Sequence, residues 1–485
     1  MRKKKKKRSL PGRILRGLLL IVLTAMVFTT VAGYLPFART PELEDRSEIE
    51  ERAEAMQRDI ATADRAVILE SSADALDERI RMMARAQREI IITTYECHDG
   101  ESTRDLMAVA CHMARQGVRV RFLADGIAGR MDIMPNALFQ AVAQCPNVEI
   151  RFYNLVSPWT PWRHMGRMHD KYVIVDDFAY LLGGRNMYDG FLGEYPTHRH
   201  YSQDREALVY NGAWGTPEGS GSSLFALKDY FEAIWSLPDT SVYAPAAPEP
   251  GELEADLEML EARFQRIRAE KPELFEDADY SAMTLPTHGI WLVSNPTTLY
   301  AKQPVVFAQL CALMNRARED VVIHSPYAVL NGVMRDALAG IAARVPVTLM
   351  VNAVENGANV VGSSDYLYHK QDVLSTGVSL LEYAGGISYH GKSVAIDDDL
   401  SVIGSYNLDL RSTYVDTELM LVIRGEAVNA QLRAHMEALH ADCLRVIDAE
   451  HSEAPAGLVV EPLSAGKRIA LRVLGALLQP FRNLV

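Results

Sequence analysis

The stretch MHDKYVIVDDFAYLLGGRN, residues 168–186, has a counterpart in the same chain: YHGKSVAIDDDLSVIGSYN, residues 389–407. Each reads His-x-Lys, four residues, Asp, six residues, Gly, then Asn three places on. The first set is His169, Lys171, Asp176, Gly183 and Asn186; the second is His390, Lys392, Asp397, Gly404 and Asn407. The repetition extends upstream. ALDERIRMMARAQREIIITTYEC is matched about 230 residues later by VVFAQLCALMNRAREDVVIHSPYAV, and TRDLMAVACHMARQGVRVRFLAD by VMRDALAGIAARVPVTLMVNAV. This period is far too long for a solenoid, so the chain must build two similar halves. Within each, amphipathic helical spacing alternates with apolar β-rich runs, such as 90–92 and, after the stop at Gly117, 118–123. That alternation predicts an α/β fold with mixed sheets.

Strand geometry gives the motif its chemical sense. With a period of two, His and Lys of His-x-Lys project from the same face. The apolar run that follows buries the strand. The glycine turn lets backbone approach an anion, and Asn adds amide donors beside it. An imidazole, an ammonium and an amide on one face suit the oxygens of a phosphate. Each motif is followed by an acidic pair one residue apart: Asp204 and Glu206 in QDREALVY, Asp416 and Glu418 in VDTELMLV. A lone His-x-Lys is usually surface decoration; two matched sets argue against that. His98, His164, His198, His200, His324 and His369 lack this context and read as surface or packing residues. Tyr95 and Tyr327, in equivalent places, either line a site or end core strands.

The charge distribution is uneven. Residues 1–16 hold nine positive charges, Arg2, Lys3 to Lys7, Arg8, Arg13 and Arg16, and no negative one. The other 469 residues carry 41 positive and 63 negative charges, a balance of −22. So acidic a body disfavours nucleic acid as a partner. Residues 17–37 contain no charge in 21 positions, enough for one bilayer-spanning helix. The basic block before it predicts a cytoplasmic N-terminus and an outward-facing body. A cleavable signal peptide is the competing reading, since Ala32 and Gly33 follow the run. The C-terminal GKRIALRVLGALLQPFRNLV is basic and amphipathic, fitting a helix on a membrane surface or one packed on the core. Trp159 and Trp162, just before the first motif, fit a lipid interface or ordinary loop packing.

The five cysteines, Cys97, Cys111, Cys145, Cys311 and Cys443, show no metal-like clustering. Most read as small buried apolar side chains, although an outward location permits disulfides. The segments are 1–16 basic N-terminus, 17–37 anchor, 38–65 stalk or lead-in helix, 66–237 first half, 238–285 linker plus exposed helix, 286–450 second half and 451–485 tail.

Over roughly 66–237 and 286–450 the motifs closely resemble the phospholipase D superfamily with its paired HKD motifs. RMHDKYVIVDDFAYLLGGRNMYDGF, YHGKSVAIDDDLSVIGSYNLDLRSTYVDTEL, GESTRDLMAVACHMARQGVRVRFLAD and HSPYAV look like its bacterial cardiolipin synthase branch. The resemblance implies one site shared by two halves about a pseudo-twofold axis, and transfer through a covalent phosphohistidine. It implies that one histidine attacks phosphorus and the other is general acid and base; His169 is taken as the nucleophile and His390 as the acid and base, an order the sequence does not fix, with Lys171, Lys392, Asn186, Asn407 and Ser405 holding phosphoryl oxygens. Glu206 and Glu418 match carboxylates that orient the histidines. Asp176 and Asp397 complete the catalytic motif as its structural supports. No metal or other cofactor is implied. Gly184 stands where many members have Ser, which Ser405 keeps. Asp170 replaces a usual Asn and could raise the pKa of His169. Asp416 replaces an Asn common in the branch. The expected activity is a membrane-anchored phosphatidyltransferase making cardiolipin from two phosphatidylglycerols. The alternatives are a hydrolytic phospholipase D, a phosphodiesterase or nuclease on extracellular polyanions, and a non-catalytic membrane scaffold. The oligomeric state is left open.

Overall fold

The structure, a computed structural model, describes residues 10–195, 201–245, 250–357 and 359–485. The basic block up to Arg8, His198, His200 and part of the Pro-rich linker lie outside the described residues. The twenty strands, in chain order, are β1 (Asp64–Leu69), β2 (Glu89–Thr94), β3 (Arg119–Asp125), β4 (Val148–Tyr153), β5 (Tyr172–Val175), β6 (Ala179–Gly183), β7 (Ser202–Gln203), β8 (Glu206–Asn211), β9 (Thr240–Val242), β10 (Leu285–Pro286), β11 (Gly289–Ser294), β12 (Val321–His324), β13 (Val347–Asn352), β14 (Ser379–Tyr383), β15 (Ser388–Tyr389), β16 (Ser393–Ile396), β17 (Leu400–Gly404), β18 (Leu419–Arg424), β19 (Cys443–Val446) and β20 (Ser452–Glu453).

Two nine-stranded mixed sheets carry the duplication. The first runs β10-β1-β8-β6-β5-β2-β3-β4-β9; the second runs β11-β18-β17-β16-β12-β13-β14-β19-β20. In each, a parallel trio (β2-β3-β4, or β12-β13-β14) adjoins the antiparallel motif hairpin (β5-β6, or β16-β17). The apolar strands 172–175 and 393–396 are buried throughout, as a strand covered on both faces requires. Each half has its own core. A third cluster joins Ile68, Ile174 and Leu182 of the first half to Ala395, Ile403 and Leu421 of the second, so the halves share a continuous apolar interior.

The motif aspartates fix each hairpin to its neighbour. Asp176 and Asp397 sit at the turn with φ of 50° and 48°, a left-handed conformation that Asp tolerates better than most residues. The Asp176 carboxylate accepts the backbone N–H of Gln87, Arg88 and Glu89 at 2.7–2.8 Å. Asp397 does the same for Arg318, Glu319 and Asp320. Both therefore tie the hairpin to the start of the adjacent strand, away from the face that carries the histidines. Neither lines the cavity that the histidines share.

Several segment boundaries differ from the sequence expectation. β9 and β10 place 240–242 and 285–286 in the first half's sheet, and β20 carries the second sheet past residue 450. The helix Pro250–Glu270 is not merely exposed. Leu260, Phe264 and Ile267 enter the first core, Phe264 stacks on His112 at 3.6 Å, and Arg263 pairs with Asp105 at 2.6 Å. Three apolar residues at helical spacing were hidden among many charges. The lead-in helix Arg46–Ala55 is capped by Asp45 and buries Ile49 and Ala53 in the second core, so it is no free stalk. The N-terminal helix Leu10–Tyr34 continues through a turn, giving a largely apolar stretch Ile14–Phe37 of 24 residues. Cys111 and Cys145 pair at a Cα separation of 5.9 Å, while Cys97, Cys311 and Cys443 are free and buried.

Asp176→Ala strands the backbone donors it satisfies and is expected to cost about 2–3 kcal/mol. Asp176→Gly is expected to cost less, because glycine adopts the left-handed turn without strain. Denaturant midpoints of the two variants check this; equal midpoints would contradict it.

Candidate active site

The two motifs meet through a symmetric exchange between halves. The segment before each histidine runs parallel to the segment before the other half's acid. Tyr389 pairs with Gln203, and Met168 with Thr417. The His390 N–H donates to Gln203 O at 2.7 Å, and the His169 N–H to Thr417 Oγ1 at 3.2 Å. Each acid next in sequence then reaches the opposite imidazole. His390 Nδ1 lies 2.7 Å from Asp204 Oδ2; His169 Nδ1 lies 2.9 Å from Glu418 Oε1.

This corrects one expectation. Glu418 meets His169 as the motif suggested, but Glu206 meets no histidine. Its carboxylate is gripped by Arg79 through two bonds of 2.6 Å, deep in the first half. Sheet register explains why. Gly183 lies opposite Glu206, whereas Gly404 lies opposite Met420. The counterpart of Glu418 is therefore Asp204. Resemblance in residue type had aligned the acids two places out of step.

Gly184 and Ser405 complete the asymmetry. Ser405 Oγ donates to Glu418 Oε2. A Cβ at Gly184 would stand 2.5 Å from Asp204 Oδ1, so glycine makes room for the carboxylate. One half thus holds a longer acid steadied by a hydroxyl; the other holds a shorter acid against bare backbone.

Both histidines open onto one cavity of about 470 Å³, also lined by Asn186, Asn407, Tyr95 and Tyr327. The lysines approach from behind. Lys171 Nζ donates to His169 O at 2.6 Å, and Lys392 Nζ lies 2.7 and 3.0 Å from the His390 ring nitrogens. Asn186 Nδ2 donates to Glu96 Oε2 at 2.9 Å, and Asn407 Nδ2 to Tyr327 OH at 3.2 Å. Asn407 Oδ1 is buried without a hydrogen-bond partner among the described residues. Tyr95 packs edge-on to His169 with ring centroids 5.1 Å apart. Among the described residues, no group of three His, Cys, Asp or Glu is arranged for a metal ion.

Burial dominates the electrostatics. It lowers Lys171 to about 8 and Lys392 to about 7, against opposing carboxylates. It pushes Glu418 up to about 8, although Lys171 opposes this. Burial, then Lys171 and Lys392, drives His169 well below its usual range, so the imidazole is neutral. His390 falls to about 3 through burial and Lys392. Burial would raise Asp204, but Lys392 and His390 outweigh it and keep the carboxylate ionised. The expected lift of His169 by Asp170 does not occur. Asp170 turns away, accepting from Tyr230 OH and Thr417 Oγ1 at 2.9 Å each.

The sequence pattern did not single out Glu96, which holds Asn186, or the pairing of Asp204 with His390, or Arg411 on the cavity wall, where Arg411 Nε pairs with Asp416 Oδ2 at 2.9 Å. Asp416 being within reach of an arginine was not visible from its spacing. Two imidazoles, two flanking ammonium groups and two amides around one cavity can bind a phosphodiester and pass a proton to and from it.

A family described as "Cardiolipin synthase, PLD-like domain" matches residues 80–194 and 310–440. Cardiolipin synthase C of Escherichia coli (strain K12) is 26% identical over 410 residues, covering 75% of this chain and 82% of that protein. Cardiolipin synthase A of Cronobacter sakazakii is 24% identical over 385 residues, covering 79% and 70%. The crystal structure of phosphatidylserine synthase from Haemophilus influenzae superposes with a TM-score of 0.62 at 15% identity, over 90% of this chain and all of that one, which shows the shared fold.

Replacing the two acids separates their parts. Asp204→Asn is expected to lower phosphodiester turnover by about 10²- to 10⁴-fold with a near-normal unfolding midpoint. Glu206→Gln, which breaks a buried ion pair, is expected to cost about 3 kcal/mol of stability. Turnover and denaturant unfolding, measured on both variants, check this; the reverse pattern would restore Glu206 to the site.

Proposed function

This chain belongs to the family of cardiolipin synthase, PLD-like domains, and on that premise we propose that it is a membrane-anchored phosphatidyltransferase that makes cardiolipin from two phosphatidylglycerols. The observation that carries the reading is the crossed pairing of His169 with Glu418 and His390 with Asp204 on one cavity. The apolar stretch Ile14–Phe37 supports a substrate drawn from the same bilayer.

In the proposed reaction His169 Nε2 attacks the donor phosphorus while Nδ1–H donates to Glu418. The bond from phosphorus to the glycerol oxygen breaks, and His390 gives that oxygen its proton. The phosphatidyl group is then held on His169. The hydroxyl of a second phosphatidylglycerol loses its proton to His390 and attacks phosphorus, and the P–N bond breaks. Lys171 and Lys392 hold the phosphoryl oxygens, with Asn186 and Asn407 turning their amides toward them and Ser405 steadying Glu418. The asymmetry of the acids supports these roles. Both free histidines are held neutral, and the acids differ: Asp204 beside His390 stays ionised, so it would stabilise a proton that His390 takes up, whereas burial raises Glu418 beside His169. Burial, then Lys392, holds free His390 low, and the negative charge of a bound phosphodiester would oppose the Lys392 part of that effect.

Expression in cells lacking their own cardiolipin synthases, followed by lipid profiling, tests the reading. New cardiolipin is expected, and His169→Ala or His390→Ala should abolish it. Accumulating phosphatidic acid without cardiolipin would assign hydrolysis instead. The lysines set the pH response. Their lowered pKa values mean that the phosphate-binding charge is present at acid pH and lost as pH rises through about 7 to 8. kcat/KM in mixed micelles is expected to fall across that window; a flat profile to pH 9 would contradict it.

A further inference from the structure

We infer that the C-terminal helix Ala465–Leu478 is a second membrane contact, lying on the surface of the bilayer that the N-terminal helix enters. Three segments meet at the base of that first helix. The Tyr34 and Phe481 rings stand 5.4 Å apart, and Asn483 Nδ2 donates to Ala38 O at 3.3 Å. A Cβ on Gly33 would lie 3.3 Å from Pro161 O, in the turn that carries Trp162. The C-terminal helix therefore ends at the foot of the apolar stretch.

One face of this helix is firmly docked. Gly475 seats on Ser364 O of the helix Val360–Leu374, so closely that a Cβ would lie 2.5 Å away. Arg482 clamps the buried Asp365 at 2.7 and 2.9 Å, and Gln479 meets His369 Nε2 at 2.9 Å. The opposite face is apolar and open. Ile469, Val473, Leu477 and Phe481 recur every fourth residue and are 63%, 53%, 67% and 40% exposed. Their stripe is about 18 Å long. Trp159, 84% exposed, stands in the same loop as Trp162. A rigidly held apolar stripe of this size needs cover.

The bilayer is the cover that fits. The stripe is continuous with a helix long and apolar enough to cross a membrane. Residues 462–485 hold four cationic side chains and no acidic one, on a body otherwise strongly acidic. Lys467, Arg468 and Arg472 cluster at the helix start, although Arg468 and Arg472 have acidic neighbours in Glu355 and Glu450. Such a basic, amphipathic helix suits anionic lipid. The partner helix begins at the cavity wall, where Val360 lines the pocket. Lipid contact by the docked pair would hold the cavity mouth against the bilayer. This last step rests on the phosphatidyltransferase reading; the lipid contact does not.

The test uses the full-length protein in vesicles of phosphatidylcholine and phosphatidylglycerol. An environment-sensitive fluorophore is placed at Val473→Cys, at Leu477→Cys, or at the exposed control Glu258→Cys; the native free cysteines are buried. Quenching by spin-labelled lipid at 473 and 477, but not at 258, is expected. Iodide access at 473 and 477 equal to that at 258 would overturn the proposal. So would shielding from iodide and lipid alike, which would assign the face to a second copy of the chain. In a Val473→Glu/Leu477→Glu variant, turnover of vesicle lipid should fall about tenfold while a soluble short-chain diester is turned over normally. Equal effects on both substrates would overturn the link to the cavity. A protein that contacts lipid but makes no cardiolipin would fail the functional reading and leave this contact standing.

Discussion

Each half of this protein supplies the carboxylate that the other half's histidine needs. Asp204 crosses to His390 and Glu418 to His169, each delivered by a short parallel pairing between the halves. Neither imidazole has its acid within its own half. The fused interior around Ile174, Leu182, Ala395 and Leu421 is therefore a condition of the site as well as a source of stability. The same crossing explains the depth of burial. Two lysines and two carboxylates are buried close together, where charges couple strongly and proton affinities shift by large amounts.

The two copies are alike in backbone and different in electrostatics. Asp204 stays ionised beside Lys392, with Gly184 leaving it space; Glu418 is longer, held by Ser405, and takes up a proton readily. Duplication gives the geometry twice, and small differences at 184, 204, 405 and 418 let the halves take different parts. On the proposed reading one histidine forms the covalent bond and the other handles protons.

Much of this was legible in the sequence because it is local and periodic. The His-x-Lys spacing, the glycine turns and the apolar runs fix a strand, a turn and a face, and repetition doubles the signal. Asp176 and Asp397 were legible as supports, and the structure places them on backbone N–H groups. What the sequence hid depends on register and tertiary contact. Asp204 and Glu206 stand two positions apart, Asp204 just before β8 and Glu206 at its start, and only the pairing of Gly183 with Glu206 tells which one reaches a histidine. Phe264 and Ile267 looked like part of a charged exposed helix until the first core was seen to take them. The C-terminal helix satisfied both expectations at once, with one face on the body and the other open.

The most direct test is to trap the covalent intermediate. Full-length protein with both histidines in place, mixed with phosphatidylglycerol labelled in its phosphate and quenched with alkali within the first turnover, should hold acid-labile label on a single peptide, attached to His169. Label on no residue despite release of glycerol, or label on another side chain, would contradict the account.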